Sequence, residues 1–362
     1  MQIVEDRRNL HQIPELIRTL PKTMAYLQSA LQGLRCHIFS PMESSLCAFF
    51  DFGADHTIAF RSDADALPVT ENTGLPFASR HPGQMHACGH DGHMAILLEF
   101  ARRLDKKETL KHNVLLVFQP AEEETGGAKD LCDTGIFEKY NVQAIFALHL
   151  WPGLEAGIVA SRCNEMLSHS CEITVDFQGK TSHIAKASEG IDALAAATQF
   201  YSRARALERA LPPEVYRILN FGRLESGTAR NAIAATAHLE GSLRAFQDDV
   251  FQSLYEGLFA IARDIEKATG CAVTITPNDG YPAVINPPAL YEKVQSCVSF
   301  AKLPAPFMIA EDFSWYQKRL PGMFFFLGIG NTPALHAETF DFDETILLKG
   351  ADFFEKLAEQ FV

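Results

Sequence analysis

The sequence predicts an α/β protein in which a second, smaller domain is inserted into the first. Three observations carry that expectation. Apolar runs around Thr57 to Phe60, Asn113 to Phe118 and Ala144 to Leu148 each end in side chains able to hold a metal. Strand ends are where α/β sheets build their sites. From about Cys171 to Thr276 the pattern changes to β-α-β-β-α-β, the ferredoxin-like order of a four-stranded sheet with two helices on one face. The chain, at 362 residues, is also longer than one hydrophobic core usually serves.

Taken in order, Glu5 to Leu34 reads as helical, broken at Pro14, with Met24, Leu27, Ala30 and Leu31 at helical spacing. Leu46 to Phe52 and Thr57 to Phe60, separated by Gly53-Ala54-Asp55, read as a hairpin-like pair of strands. The second runs into Asp63-Ala64-Asp65, two carboxylates two residues apart. Ala95 to Leu104 reads as an amphipathic helix. Asn113 to Phe118 is continuously apolar, as in a strand buried on both faces, and ends in Gln119-Pro120-Ala121-Glu122-Glu123-Glu124. Gly126-Gly127 and a short helix from Ala128 to Leu131 follow. Ala144 to Leu148 is a third such strand and ends in His149-Leu150-Trp151-Pro152.

In the inserted stretch, Cys171 to Phe177 alternates strictly, so one face is wet. A Gly-Lys-Thr-Ser-His turn, Gly179 to His183, precedes a helix from about Ile191 to Glu208. Strands around Tyr216 to Leu224 and Ile233 to Arg244, a helix from Asp249 to Thr269 and a strand Ala272 to Thr276 complete the set. After Pro277 the first domain resumes, with an acidic turn at Ala310-Glu311-Asp312-Phe313 and a buried strand Met323 to Gly328. Leu335-His336-Ala337-Glu338 follows in a loop, and a helix runs from Glu344 to about Phe361.

Composition narrows the function. Hydrophobic content of 47% and charged content of 21% are those of ordinary globular proteins. A formal charge of −13 argues against nucleic acid or an anionic membrane as partner. Met1 to Leu10 carry charges and no apolar run, so no signal peptide is expected, and no stretch reaches the ~18 apolar residues of a membrane span. The eight cysteines are scattered, without a disulfide-framework spacing. They are expected to be reduced thiols in a cytoplasmic protein.

The chemistry centres on His86-Ala87-Cys88-Gly89-His90-Asp91-Gly92-His93. Three imidazoles, a thiol and a carboxylate in eight residues point to metal, yet no second cysteine stands at zinc-finger distance. The site must borrow ligands from elsewhere, which is the mark of an open, catalytic one. Asp63, Asp65, Cys88, His90, His93, Glu122, Glu123, His149 and His336 are the candidates, enough for a pair of ions. Mixed S, N and O donors favour zinc, with manganese, cobalt or nickel also compatible. Two ions with a spare carboxylate suggest hydrolysis. Either Glu122 or Glu123 ligates and the other moves the proton.

The segments Met85 to His93, Gln119 to Glu123, His149 to Pro152 and Leu335 to Glu338 together resemble the M20 metallopeptidase family, in its amidohydrolase branch. That branch includes hippurate hydrolases, N-acyl-amino-acid deacylases and N-acetyldiaminopimelate deacetylases. The resemblance covers essentially the whole chain. It implies a mixed-sheet catalytic domain, residues 1–164 and 279–362, with two divalent ions per subunit. It also implies a ferredoxin-like lid and dimerisation domain over 165–278, giving a homodimer through the lid. By the same resemblance Cys88, His90, Glu123, His149 and His336 would be the metal ligands and Glu122 the general base and acid. His183 would polarise the scissile carbonyl, and Asn231 and Arg244 would hold a substrate carboxylate. Asp63-x-Asp65 stands where peptidases of the wider family have His-x-Asp, which leaves the role of Asp63 open. Thr181-Ser182 stands where relatives commonly have glycines.

The expected activity is therefore hydrolysis of the amide bond of N-acyl amino acids, a small-molecule substrate, by attack of metal-activated water. Diaminopimelate deacetylation, a dipeptidase and a metal-binding relative without turnover are the alternatives. A dipeptidase needs an acidic group for the substrate's free amino terminus. A thiol-redox role for Cys88 has no resolving cysteine nearby in sequence.

Overall fold

The structure, a computed structural model, describes every residue except Thr125 and Val362. The chain divides into two compact units. The first comprises Met1–Met166, Ile285–Pro306 and the stretch from Glu311 onward, and the second Leu167–Val284 with Phe307–Ala310.

The first unit is built on an eight-stranded mixed sheet. From edge to edge its strands are His37–Phe39, Leu46–Phe50, Asn113–Gln119, Thr57–Asp63, Val142–Trp151, Gly322–Gly328, Val159–Ser161 and Ala301–Lys302. The four central strands, Asn113–Gln119 to Gly322–Gly328, are mutually parallel. Their side chains are buried almost without exception, as continuous apolar runs require. Alternation in the last of them divides the core. Phe325 meets Phe353 of the helix Leu347–Gln360 at 4.8 Å between ring centroids. Phe324 turns the other way, toward Phe313 at 5.4 Å. On the first face Phe60 also touches Phe100 of the helix His90–Asp105 and Phe354, at 4.8 and 4.9 Å. Each such ring contributes roughly 1.5–3 kcal/mol by burial.

Two expectations change. Leu46–Phe50 and Thr57–Asp63 do not form a hairpin; Asn113–Gln119 lies between them, antiparallel to the first and parallel to the second. The Asn113 side chain occupies the connection: its Oδ1 accepts from Phe52 and Ala54 N–H, and its Nδ2 donates to Ala54 O. The hairpin partner is instead the short strand His37–Phe39. The helix expected from Ala95 begins five residues earlier, at His90, because Gly89 takes a left-handed φ of +85° and starts it there. Half of the metal-capable run is thus helical.

The second unit has four strands, His169–Gln178, Arg217–Ser226, Thr236–Ala245 and Ala272–Pro277, and two long helices, Ala193–Arg209 and Asp248–Thr269. Edge to edge the order is Ala272–Pro277, His169–Gln178, Thr236–Ala245, Arg217–Ser226, with every neighbour antiparallel. Cys171, Ile173, Val175 and Phe177 point into its core, and Leu254, Leu258, Ile261 and Ile265 meet them from one stripe of the second helix. Among the described residues no helix is long and apolar enough to cross a membrane.

Candidate metal centre

The parallel strands deliver the site. Thr57–Asp63, Asn113–Gln119 and Val142–Trp151 end at the same edge of the sheet, so Asp63, the loop after Gln119 and His149 converge there. Helical geometry adds His90 and His93, three residues apart on one face of the helix that Gly89 begins. His336 comes from the loop after Gly322–Gly328. It has a left-handed φ of +66°, and its N–H donates to Ala87 O at 2.8 Å, which ties that loop to the Cys88 segment.

Six expected residues come together. Cys88, Glu123 and His336 each offer a ligand atom within 4.8 Å of the others, as do His90, Glu122 and Glu123. Cys88 Sγ lies 3.5 Å from His149 Nε2. Glu123 Oε1 lies 3.7 Å from His90 Nε2 and 3.5 Å from His336 Nε2. Donors 2.0–2.3 Å from one tetrahedral ion stand roughly 3.3–3.8 Å apart, so these separations fit metal ligation.

Hydrogen bonding points the same way. The Nδ1–H of His90 donates to Asp65 O at 2.8 Å and that of His149 to Leu150 O at 2.7 Å, which leaves each Nε2 turned inward. His90 Nε2 and Glu123 Oε1 are buried without a hydrogen-bond partner among the described residues. Orphaned polar atoms are costly in an interior, and a divalent ion would satisfy both. The residues present fit a pair of ions.

Electrostatics agree. Burial, and then the charges of Glu123 and Glu122, push the Cys88 thiol up. Burial and then Glu311 and Glu123 push Glu122 well above the carboxylate range, and burial with Asp65 takes Glu123 to about 8. Burial drives His90 down to about 4 and holds His149 well below the usual imidazole range. Carboxylates crowded in a dry pocket favour protons or cations, and divalent ions neutralise such a set.

Asp63 has a definite place. Burial alone would raise it, but His90, His93 and Arg61 outweigh burial and hold it ionised. Its Oδ1 accepts from His93 Nδ1 at 2.6 Å and its Oδ2 from Arg61 Nη1 at 2.9 Å. His93 Nε2 in turn accepts from Leu150 N–H at 2.9 Å, next to His149. Both ring nitrogens of His93 are therefore engaged, one by Asp63 and one by the Leu150 N–H. The carboxylate of Asp65 accepts from the N–H groups of Glu122 and Glu123 at 3.0 and 3.2 Å.

Sequence reasoning passed over four contributors. Arg61 is buried among Asp63, Glu311 and Asp312. An arginine following directly on the apolar run Ile58-Ala59-Phe60 was the available signal, because a buried guanidinium needs partners. Glu311 and Asp312 read only as an acidic turn; both are buried, each with a carboxylate oxygen within 4.8 Å of one of Glu122. Asp91 is held by two residues of the first helix, Gln2–His11: its Oδ2 accepts from Arg7 Nε at 2.9 Å and His11 Nδ1 at 2.8 Å.

The other three expected residues belong to the second unit. His183 is exposed and caps a short helical turn, its Nδ1 accepting from Ala185 N–H. Ile184 N–H donates to Asn231 O at 3.0 Å, so His183 and Asn231 share one stretch of that unit. Arg244 is half-buried on the strand Thr236–Ala245, donating to Met308 O at 2.9 Å and to Ser242 Oγ at 3.2 Å, and lying 3.4 Å from Glu172.

Comparison with known proteins gives consistent findings. Residues 59–360 match the family described as peptidase family M20/M25/M40. An uncharacterized hydrolase of Staphylococcus haemolyticus is 33% identical over 370 residues, covering 98% of this chain and 97% of the relative. The crystal structure of a Bacillus subtilis protein described as a dinuclear metal binding peptidase from the M20 family superposes with a TM-score of 0.86 at 30% identity, over 99% of this chain and 96% of that one. A protein from methicillin resistant Staphylococcus aureus reaches a TM-score of 0.93 at 28% identity, with 99% and 96% coverage.

Proposed function

From the premise that this chain belongs to peptidase family M20/M25/M40 and is a metal-dependent hydrolase, we propose that it cleaves the amide bond of N-acyl amino acids. The observation that carries the reading is the pair Glu122 and Glu123. One carboxylate faces the imidazoles of His90 and His336, and the other stands beside it, buried, with its affinity for a proton raised. Within the hydrolases, N-acyl amino acids are supported by the resemblance of Met85 to His93, Gln119 to Glu123 and Leu335 to Glu338 to the amidohydrolase branch.

In this reading Cys88, His90, Glu123, His149 and His336 would hold two divalent ions, which when bound would supply Lewis acidity to lower the pKa of water and to polarise the carbonyl. Zinc suits the thiolate and imidazole donors best. Glu122 takes the proton from the attacking water and passes it to the leaving amine nitrogen. Its buried setting suits both halves of that task, because a base and acid of one carboxylate works best with a raised pKa. Asp63, Asp65 and His93 keep the ligands oriented. On the resemblance, His183 is assigned carbonyl polarisation, Asn231 and Arg244 recognition of the substrate carboxylate, and the second unit a lid and homodimer contact in a cytoplasmic enzyme.

Amine release from N-acetyl and N-benzoyl amino acids and from dipeptides tests this, with zinc, manganese, cobalt or nickel supplied in turn. Release from the acyl amino acids is expected to fall by about 10²–10⁴ in Glu122→Gln while metal content is unchanged. Activity confined to dipeptides would replace the substrate class. No release from any of them, with metal bound, would remove the catalytic reading for these substrates.

A further inference from the structure

The loop that carries Glu122 and Glu123 departs from the strand Asn113–Gln119 and re-enters regular structure at the helix Gly127–Asp133. Its middle is held by Asp65, through the N–H groups of Glu122 and Glu123. Its two ends meet at a residue nearly two hundred positions later in the chain. Asp312 Oδ2 accepts from Gln119 Nε2 at 2.6 Å, where the loop leaves, and from Ala128 N–H at 3.0 Å, where it returns. Asp312 Oδ1 accepts from Arg61 Nη2 at 2.9 Å, and the side chain is fully buried.

We propose that Asp312 is a positioning residue, whose single carboxylate clamps both ends of this loop and so fixes where the Glu122 carboxylate stands. The proposal rests on the reading in which Glu122 moves the proton.

The geometry leaves the clamp little freedom. Gln119 cannot rotate its amide without loss, because its Oε1 also accepts from Arg61 Nε and Tyr316 OH, both at 2.8 Å. The loop is tightly closed: Gly127 N–H donates to Ala121 O at 3.0 Å, and Ala121 has a left-handed φ of +60°. A side chain at Gly127 would place its first carbon 1.9 Å from Pro120 O. Neutralising Arg61 is not the reason for Asp312, since Asp63 and Glu311 already face that guanidinium at 2.9 and 3.0 Å. Nor is a third cation needed among Glu122, Glu311 and Asp312: Arg61 Nη2 already sits between the last two. Among the described residues, only Asp312 Oδ2 accepts from both Gln119 and Ala128.

Asp312→Asn tests the clamp. An amide cannot offer acceptors on both sides, so its NH2 must oppose either Arg61 or the Gln119 and Ala128 donors. The readouts are zinc stoichiometry, backbone hydrogen exchange of Glu122, Glu123 and Ala128 in the zinc-loaded protein, and kcat and KM for an N-acetyl amino acid. The expected result is exchange at least about tenfold faster at those amides. Zinc content stays at the wild-type value, kcat falls about 100-fold and KM stays within about threefold. Asp312→Glu keeps the charge but moves it by one methylene, and decides the matter by the same readouts if the asparagine variant does not fold. Wild-type exchange and kcat in either folded variant would overturn the proposal, as would a loss of kcat that only tracks lost zinc. If the wild type releases no amine the functional reading falls, and hydrogen exchange alone still decides the clamp.

Discussion

Replacing Arg7 by methionine should cost the first unit more stability than any exposed charge can. Arg7 is fully buried and faces three carboxylates: Asp91 at 2.9 Å, Asp341 at 3.0 Å and Glu344 at 3.2 Å. Its guanidinium lies between the rings of Phe77 and Phe342, at 4.9 and 4.6 Å. Methionine keeps much of that packing but leaves Asp91, itself buried, with only His11 as a charged partner at its Oδ2. Breaking a buried pair from one side costs about 3–5 kcal/mol. That is a large share of the roughly 5–15 kcal/mol that holds a domain together. Both tryptophans, Trp151 and Trp315, belong to the first unit, so their fluorescence during urea unfolding reports that unit alone. Arg8→Met is the control: Arg8 is about half exposed and pairs with Glu344, a contact of at most about 1 kcal/mol. Adding Asp91→Asn to Arg7→Met should restore part of the loss, because no charge is then stranded. A midpoint for Arg7→Met no lower than that of Arg8→Met would refute the argument.

Further outcomes follow from the same geometry. Burial opposes the charge of His11, but Asp91 and Glu71 outweigh it and raise the imidazole to about 9. Its stabilisation is therefore complete below the unfolded value near 6.5 and lost as pH rises through about 9, at most roughly 3 kcal/mol. The urea midpoints of wild type and His11→Asn should converge between pH 7 and 10, and parallel curves would contradict the pairing. Glu71 behaves oppositely: burial would raise it, but hydrogen bonds from His11, Thr73 and Ser79 lower it to about 2. Its contribution, present above about 4.5, should fade as acid approaches pH 2, which Glu71→Gln measures by difference. Gly127→Ala should lower kcat at least about tenfold, because its new carbon meets Pro120 O, while Gly222→Ala, which faces open space, should leave kcat unchanged.

Much of the first unit was legible because its signals were local. Continuous apolar runs marked the central strands, and ligand-type residues marked their ends. What escaped the sequence was pairing over long range. Nothing near Leu46 or Thr57 announces that Asn113–Gln119 will come between them; that order depends on an asparagine sixty residues away reaching into the turn. The start of the helix at His90 hung on one left-handed glycine, and its four opening residues are polar or glycine, so the apolar period only shows from Met94. The candidate site was legible in the metal-capable residues that converge there and not in the charged residues buried around them. Cys88, His90 and Glu123 are conspicuous by residue type. Arg61, Asp91, Glu311 and Asp312 are ordinary charged residues until burial makes their partners obligatory.

The place of Gly322–Gly328 in the sheet bears on how the protein is made. This strand is inserted between Val142–Trp151 and Val159–Ser161, which are synthesised far earlier. A ribosome adding about 5–20 residues per second needs roughly 10–30 seconds to pass from Met166 to Gly328. The second unit is contiguous but for Phe307–Ala310, so its sheet can assemble during that interval. The first unit must wait with a gap beside Val142–Trp151, its strand edge and apolar faces open to chaperones or to neighbouring nascent chains. Yield in a host should therefore respond to chaperone supply and growth temperature more steeply than the stability of the finished protein would suggest.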